Sequence, residues 1–428
     1  MLLAACIAYV LGGMPVLWNL APQVAPIVFS GIGVAALVVC AALTRPWLRV
    51  DRSLLIAIIA YLALYIVGTY LSYALTGVKT AERWALLSTN TMVLGVGAFY
   101  FLAGGALGAE RRWAIPAGLI VAYAIVALYV FTHWDVLTSA DLIYRMRVEG
   151  DVYDYQQIGD SFALSALALM ALWRLRSRRI SRRSMVLAVG FVALSIVVLF
   201  VNPSRSAAFL GAFCLLLALV LSARGWWRVG LIVALLAGGA IVAMQPVSDV
   251  AEGSRFEALV DDPTTDKSVE GREEILEQGW NAISEHPFIG EWAFELERMG
   301  RSGLYIHNAL DIWAQAGVAP FIAFLVVWGV VIRKLLKGWR ASPRRYGAAL
   351  PLVAFALLSW VVSRNAAYVL PFVGLGFFAA IIVRAESRQL QMKARRRQTS
   401  RRRSRQSRST PGPVIASVQP SGSAGASR

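Results

Sequence analysis

From Ser53 to Leu75 the chain reads "SLLIAIIAYLALYIVGTYLSYAL", with no charged residue anywhere in the run. A bilayer core is crossed by roughly 20 consecutive apolar residues in a helix, because hydrocarbon offers no partner to an unpaired backbone N–H or C=O. A stretch of this length and polarity therefore folds as a spanning helix, and "FIAFLVVWGVVI" (Phe321–Ile332) belongs to another. Only 16% of the residues are charged and 58% are hydrophobic, whereas soluble domains carry about 25% charge. The chain reads as an all-α, polytopic integral membrane protein.

Apolar runs predict twelve spans, at about 2–18, 24–43, 53–76, 84–108, 113–132, 158–175, 184–202, 207–223, 229–245, 309–332, 346–362 and 369–383. No basic residue precedes the first run, which therefore reads as a retained span rather than a cleaved signal. Cys6, Cys40 and Cys214 all lie in apolar runs and read as small core residues, with neither a disulfide framework nor a metal spacing.

The basic residues sort onto one side of this map. Arg45, Arg49, Arg52, Arg111, Arg112, "RLRSRRISRR" (Arg174–Arg183), Arg224, Arg228, "RKLLKGWRASPRR" (Arg333–Arg345) and the tail together hold 31 of the 42 lysines and arginines. Only Asp51, Glu110 and Glu386 share that side. Basic loops stay in the cytoplasm, so both termini are expected there. The net charge of +17 then reflects topology and affinity for anionic membrane lipids rather than nucleic acid binding. The domains read as transmembrane helices 1–9 over 1–245, a large outer loop with an amphipathic helix over 246–308, transmembrane helices 10–12 over 309–384, and a disordered basic tail over 385–428.

On the opposite face, "GLYIHNALDIWAQAG" (Gly303–Gly317) places His307, one of three histidines, where a helix begins. Asp311 follows four residues later, a spacing that puts both on one helical face and lets the carboxylate fix the imidazole. The positive end of the helix dipole keeps the ring neutral, as a general base requires. The competing structural role is capping, with Asp311 complementing the dipole. Arg205, in "VNPSRSAAFL", has no acid within about forty residues; its planar guanidinium is either a snorkelling surface charge or a clamp for phosphate oxygens. Arg272 opens "GREEILEQGWNAISEHPFIG", where Ile275, Leu276, Gly279, Trp280 and Ile283 recur at helical spacing up to Pro287. A cation in a first helical turn opposes the dipole, which suits an anion held there, unless Glu273 and Glu274 simply offset it. Arg145, Arg147 and Arg364 are further arginines on this face, each also readable as a surface charge; His286 and His133 read as structural and interfacial.

Several arginines around one candidate base suit an anionic, lipid-borne substrate whose diphosphate leaves without a general acid. No D-x-D faces this side, and no zinc, Walker or dinucleotide motif occurs. Neither a metal nor a cofactor is called for.

The three segments "VNPSRSAAFL", "GREEILEQGWNAISEHPFIG" and "HNALDIWAQAGV" resemble, in this order, the motifs of bacterial O-antigen ligases and O-antigen polymerases. The span count extends the resemblance over most of the chain. It implies a GT-C-like, metal-independent, inverting glycosyltransferase in the bacterial inner membrane, its active site facing the periplasm. The implied donor is an undecaprenyl-diphosphate-linked glycan. Arg205 and Arg272, with Arg145, Arg147 and Arg364, would bind the diphosphate, and His307, helped by Asp311, would activate the acceptor hydroxyl. One departure is that eight residues, not nine, separate Asn308 from Gly317. One dominant outer loop favours a ligase, with lipid A–core oligosaccharide as acceptor, over a polymerase with two sizeable loops. A lipid-linked oligosaccharide flippase is the non-enzyme alternative; the lack of an internal repeat and of charge at span centres weighs against it.

Overall fold

The structure, a computed structural model, describes residues 1–20, 25–109, 113–134, 155–177, 181–202, 204–223, 230, 267–300, 306, 308–362 and 368–409. The described elements are helical. They run α1 (Leu2–Ala8), a π turn (Tyr9–Gly13), α2 (Met14–Leu20), α3 (Ala25–Thr44), α4 (Arg52–Leu75), α5 (Ala81–Ala109), α6 (Ala114–Thr132) and α7 (Tyr155–Arg176). Then follow α8 (Arg182–Val201), α9 (Arg205–Ser222), α10 (Lys267–Glu285), α11 (Phe294–Met299), α12 (Leu310–Ala316), α13 (Val318–Ala341), α14 (Pro343–Val362) and α15 (Pro371–Ser409). Helices coincide with eleven of the twelve expected spans, and the expected span at 229–245 falls outside the described residues save Gly230. Among the described residues, seven helices, α4 to α8, α13 and α14, are long and apolar enough to cross a membrane; Leu2–Leu17, Gly31–Thr44 and Ser206–Ser222 are shorter apolar helices.

Between apolar helices in lipid the drive is close packing rather than water exclusion. Here α13 and α12 lie on α4, α9 lies between α7 and α14, and α1 lies on α6. Aromatic rings fill the centre: Tyr61 of α4, Phe324 and Trp328 of α13, Trp360 of α14 and Phe372 of α15 meet edge-on or tilted at 4.9 to 6.4 Å. Such pairs contribute about 0.5–1.5 kcal/mol each beyond their area.

Arginines and lysines gather at one end of the bundle. Arg344 donates to the carbonyl of Arg174 at 3.0 Å and Arg345 to that of Arg384 at 3.0 Å, while Arg384 caps the carbonyl of Ala109. The last carbonyls of a helix have no partner within it, so Arg344 and Arg384 satisfy those at the ends of α7 and α5, while Arg345 ties α14 to a carbonyl within α15. Lys334 of α13 pairs with Asp51, which caps α4, at 2.7 Å. This is the basic end; the other, reached by the last turns of α4, is the loop end.

Two expectations change. The span expected at 309–332 is two helices, α12 and α13, broken at Gly317 (φ +86°). A Cβ at Gly317 would sit 2.2 Å from the carbonyl oxygen of Phe288, so both its backbone angle and its contact demand glycine. The tail expected to be disordered from 385 is helical to Ser409, beyond which the residues lie outside the description. Arginine, glutamine, lysine and alanine are good helix formers and extend the last span past its apolar part. Residues Met1–Arg384 form one compact unit and Ala385–Arg428 a second.

Candidate functional site

The expected amphipathic helix is α10, and it ends at Glu285, before Pro287 as the sequence predicts. It starts at Lys267, however, so Arg272 lies in its second turn and not in the first turn as expected, where the helix's free N–H groups would be. Its buried face is Ile275, Ala282 and Ile283, packed with Phe294, Ile306 and Ala314. Trp280, expected on that face, is 49% exposed, because the stripe is narrower than the spacing suggested. Arg272 lies one turn before Ile275, on the helix that rests directly on Ile306, the neighbour of His307.

After α10 the chain folds back on α12. Trp313 Nε1 donates to the Pro287 carbonyl at 2.7 Å, and the Glu291 N–H donates to the Ala314 carbonyl at 2.6 Å. Gly290 (φ +70°) meets Gly317 in this crossing, where a Cβ on Gly290 would lie 2.6 Å from the Gly317 nitrogen. Thus the P-x-x-G turn and the break after α12 are one structural device.

A buried arginine latches this assembly to the bundle. Arg83, in the first turn of α5, is 1% exposed and pairs with Glu297 at 2.8 Å. It also donates to the Val78 carbonyl at 2.9 Å and to the Trp292 carbonyl. In return the Trp292 N–H donates to Ser72 Oγ of α4 at 2.6 Å. Arg83 is the third residue of α5, a cation in a first helical turn, and that is the local sequence signal that marks it.

The segment so held closes a cavity of about 330 Å³ at the loop end, between α4, α5, α7, α11 and α12. Asp311 and Glu295 both line it. Asp311 is buried, and its Oδ1 accepts from the Ile306 N–H at 3.3 Å and from Gln315 Nε2 at 2.9 Å. The carboxylate therefore fixes the backbone on the N-terminal side of His307, while Asn308 Oδ1 accepts from the Leu310 N–H at 2.8 Å and shapes the entry to α12. Glu295, an acid in the first turn of the short helix α11, is 5% exposed. Burial pushes its carboxyl up to about 8, Asp311 and Glu291 add to the rise, and Arg83 opposes it.

Ser204 caps α9, accepting from the Ala207 N–H, so that Arg205 is the first helical residue. This helix start abuts the cavity wall. Gly159 of α7, between the lining residues Gln157 and Ser161, faces Ala207 and Ser204 so closely that a Cβ there would lie 2.6 Å from Ala207 Cβ. Of the expected site residues, His307, Arg145, Arg147 and Arg364 lie outside the described residues, as do the side chains of Arg205 and Arg272. Of these residues the cavity itself is lined by Asp311; the start of the Arg205 helix packs behind the α7 wall, and Ile306 beside His307 packs on α10.

Glu285, His286 and Glu291 form a group with metal-ligand spacing. A cationic partner already occupies it: Arg298 pairs with Glu285 at 2.7 Å and with Glu291. Arg298 holds the Glu285 carboxyl below its usual range, and Glu291, followed by Glu285, holds the Arg298 guanidinium firmly protonated against its own burial.

A solved chain from work entitled "Structural coordination of polymerization and crosslinking by a peptidoglycan synthase complex" is similar at 18% identity and a TM-score of 0.48, over 79% of this chain and 98% of that one. No curated protein matches. Residues 190–325, which run from within α8 through α9, α10 and α12 into α13, match the family model described as O-antigen ligase. Over those residues, about a third of the chain, this multi-pass membrane protein is similar to the O-antigen ligase family.

Proposed function

We propose that this protein is an O-antigen ligase of the bacterial inner membrane, transferring O-antigen polysaccharide from undecaprenyl diphosphate to lipid A–core oligosaccharide. The site faces the periplasm and both termini are cytoplasmic. His307 takes the proton of the acceptor hydroxyl; that oxygen bonds to the anomeric carbon as the carbon–oxygen bond to the diphosphate breaks. Attack from the face opposite the leaving group inverts the anomeric centre. The charge that develops on the departing diphosphate is held by Arg205 and Arg272, with Arg145, Arg147 and Arg364 around them, so no metal is called for. Asp311 acts as a positioning residue through the Ile306 N–H.

The observation that carries this reading is that the helices bearing the Arg205 and Arg272 motifs pack against elements that border one cavity, which Asp311 of the third motif lines. The Arg272 helix packs on Ile306, the start of the Arg205 helix abuts the α7 wall, and Asp311 lines the chamber. The single large loop favours ligation over polymerisation. The test is purified protein incubated with undecaprenyl-diphosphate-linked glycan and lipid A–core, in excess EDTA. A joined product dependent on both substrates is expected. Lengthened lipid-linked glycan without use of the core would instead identify a polymerase, and no covalent product with either substrate would refute the reading.

A further inference from the structure

Among the described residues, Oε2 of Glu295 and Oγ of Ser161 on the cavity wall have no hydrogen-bond partner, and Nδ2 of Asn90 falls short of a well-formed bond although the Tyr65 hydroxyl lies beside it. They come from α11, α7 and α5, and their residues are 5%, 0% and 8% exposed. An unsatisfied buried polar group costs about 1–3 kcal/mol, so native folds keep few of them and seldom place several in one cavity. We propose that this chamber is a carbohydrate subsite in which Glu295, Asn90 and Ser161 hold the hydroxyl groups of a neutral sugar residue. The proposal rests on the glycosyl-transfer reading above and assigns one part of that site.

The chemistry of the wall selects the ligand class. Glu295, Asn90, Ser161, Gln157, Gln315 and Asp311 offer donors and acceptors from several directions, as a ring of hydroxyls requires. Tyr65 and Trp292 add flat apolar faces against which the C–H face of a sugar can rest. No lysine or arginine is among the described lining residues, so a diphosphate would find no clamp here. A bare cation is a poor match in size, since about 330 Å³ is room for some ten waters at roughly 30 Å³ each. Glu295, held protonated at neutral pH by its burial, presents an O–H donor as well as an acceptor. The Arg205 helix starts behind the α7 wall, so a sugar in the chamber would lie beside a diphosphate held there.

The sugar belongs either to the donor glycan or to the acceptor, and binding to the full-length protein in nanodiscs separates the two. Three probes are used: undecaprenyl diphosphate without sugar, undecaprenyl-diphosphate-linked glycan, and lipid A–core. Glu295→Gln should weaken one sugar-bearing probe about tenfold, the scale of one hydrogen bond to a polar group, and leave undecaprenyl diphosphate unchanged. The probe that loses affinity names the source. Asn90→Ala with Ser161→Ala should give the same pattern, so the result does not hang on one variant's insertion. Unchanged affinity for both sugar-bearing probes would overturn the proposal. So would an equal loss for undecaprenyl diphosphate, or binding that depends on an added divalent ion. A sugar-selective loss in a protein that yields no joined product would keep the subsite and refute the ligase reading.

Discussion

Asp51 and Glu295 are buried carboxyls at helix starts on opposite ends of the same bundle. At the basic end, Asp51 accepts from Ser53 Oγ at 2.6 Å, from the Leu54 N–H at 2.9 Å and from Lys334 at 2.7 Å. Burial alone would raise it, yet Lys334, Ser53 and the Leu54 N–H together hold it below its usual range. At the loop end, Glu295 keeps an unpaired oxygen and is pushed up to about 8, first by burial. A saturated carboxyl fixes the register of two helices. An unsaturated one, facing a cavity, is stable only because its proton stays on, and it leaves a polar atom for a ligand. The contrast assigns holding to one end and work to the other.

The largest effect should therefore come from the loop end and leave stability untouched. His307→Ala is expected to lower transfer by about 10² to 10⁴, the usual worth of a general base, with normal insertion and melting. His307→Asn separates catalysis from capping. Asparagine caps helices well, and Asn308 already bonds the Leu310 N–H at the entry to α12, so this variant should melt as the wild type does and still be inactive. Near-normal transfer by His307→Asn would break the comparison at its strongest point.

The same contrast explains what the sequence makes legible. Apolar runs exposed eleven of the described spans, and the Ile275–Ile283 spacing exposed α10, because both signals are local. The break at Gly317 was not legible, since it follows from the Phe288 carbonyl and the bond between Glu291 and Ala314, contacts made across a folded turn. Glu295 was hidden for a related reason. In sequence it is an acid in the first turn of a short helix, which complements the dipole at any surface; only the latch of Arg83 to a segment some 209 residues away turns it inward. The motif residues were found as chemistry, and the chamber they surround was found only as geometry.

Thermal melting against pH should show the two ends with opposite signs. The folded-state value of Glu295 lies above its ordinary 4.5. Its contribution is full below that pH and is lost as pH rises through about 8. The folded-state value of Asp51 lies below its ordinary 3.8, so its contribution is present above that pH and is lost in acid as pH falls through the folded value. Glu295→Gln should flatten the alkaline loss, which amounts to a few kcal/mol at most at about 1.4 kcal/mol per unit. An unchanged alkaline limb in Glu295→Gln would show that this carboxyl is ionised in the folded protein. Burial sets its value first, its own backbone N–H opposes the rise, and among the charged groups Asp311 and Glu291 raise it while Arg83 lowers it.

Lys334→Met tests the holding end by leaving Asp51 with only its two local donors. Lys334 is partly exposed, at 26%, so water replaces some of the lost interaction. Destabilisation of about 1–2 kcal/mol is expected, between the values for surface and buried pairs. Transfer by the folded fraction should match wild type. A fall in turnover at unchanged stability would mean that the α4–α13 tie shapes the chamber at the far end of those helices.

The smallest effect, and the finest discrimination, lies at Asp311. Its Oδ1 accepts from the Ile306 N–H and from Gln315 Nε2, and the carbonyl oxygen of an asparagine can accept both. Asp311→Asn thus keeps these two bonds while removing the charge and exchanging Oδ2 for an NH2 donor. If Asp311 is a positioning residue, transfer should fall by about two- to fivefold in kcat, under 1 kcal/mol on the scale of about 1.4 kcal/mol per decade, with the donor KM unchanged. Asp311→Leu loses both bonds and should fall at least tenfold further. The charge has a second readout: Asp311 is one of the groups that raise Glu295, so in Asp311→Asn the alkaline limb of the melting curve should move to lower pH. Should Asp311→Asn instead be as inactive as His307→Ala while that limb still moves, the carboxylate itself takes part in the proton transfer, and the work of the loop end belongs to a His–Asp pair rather than to the histidine alone.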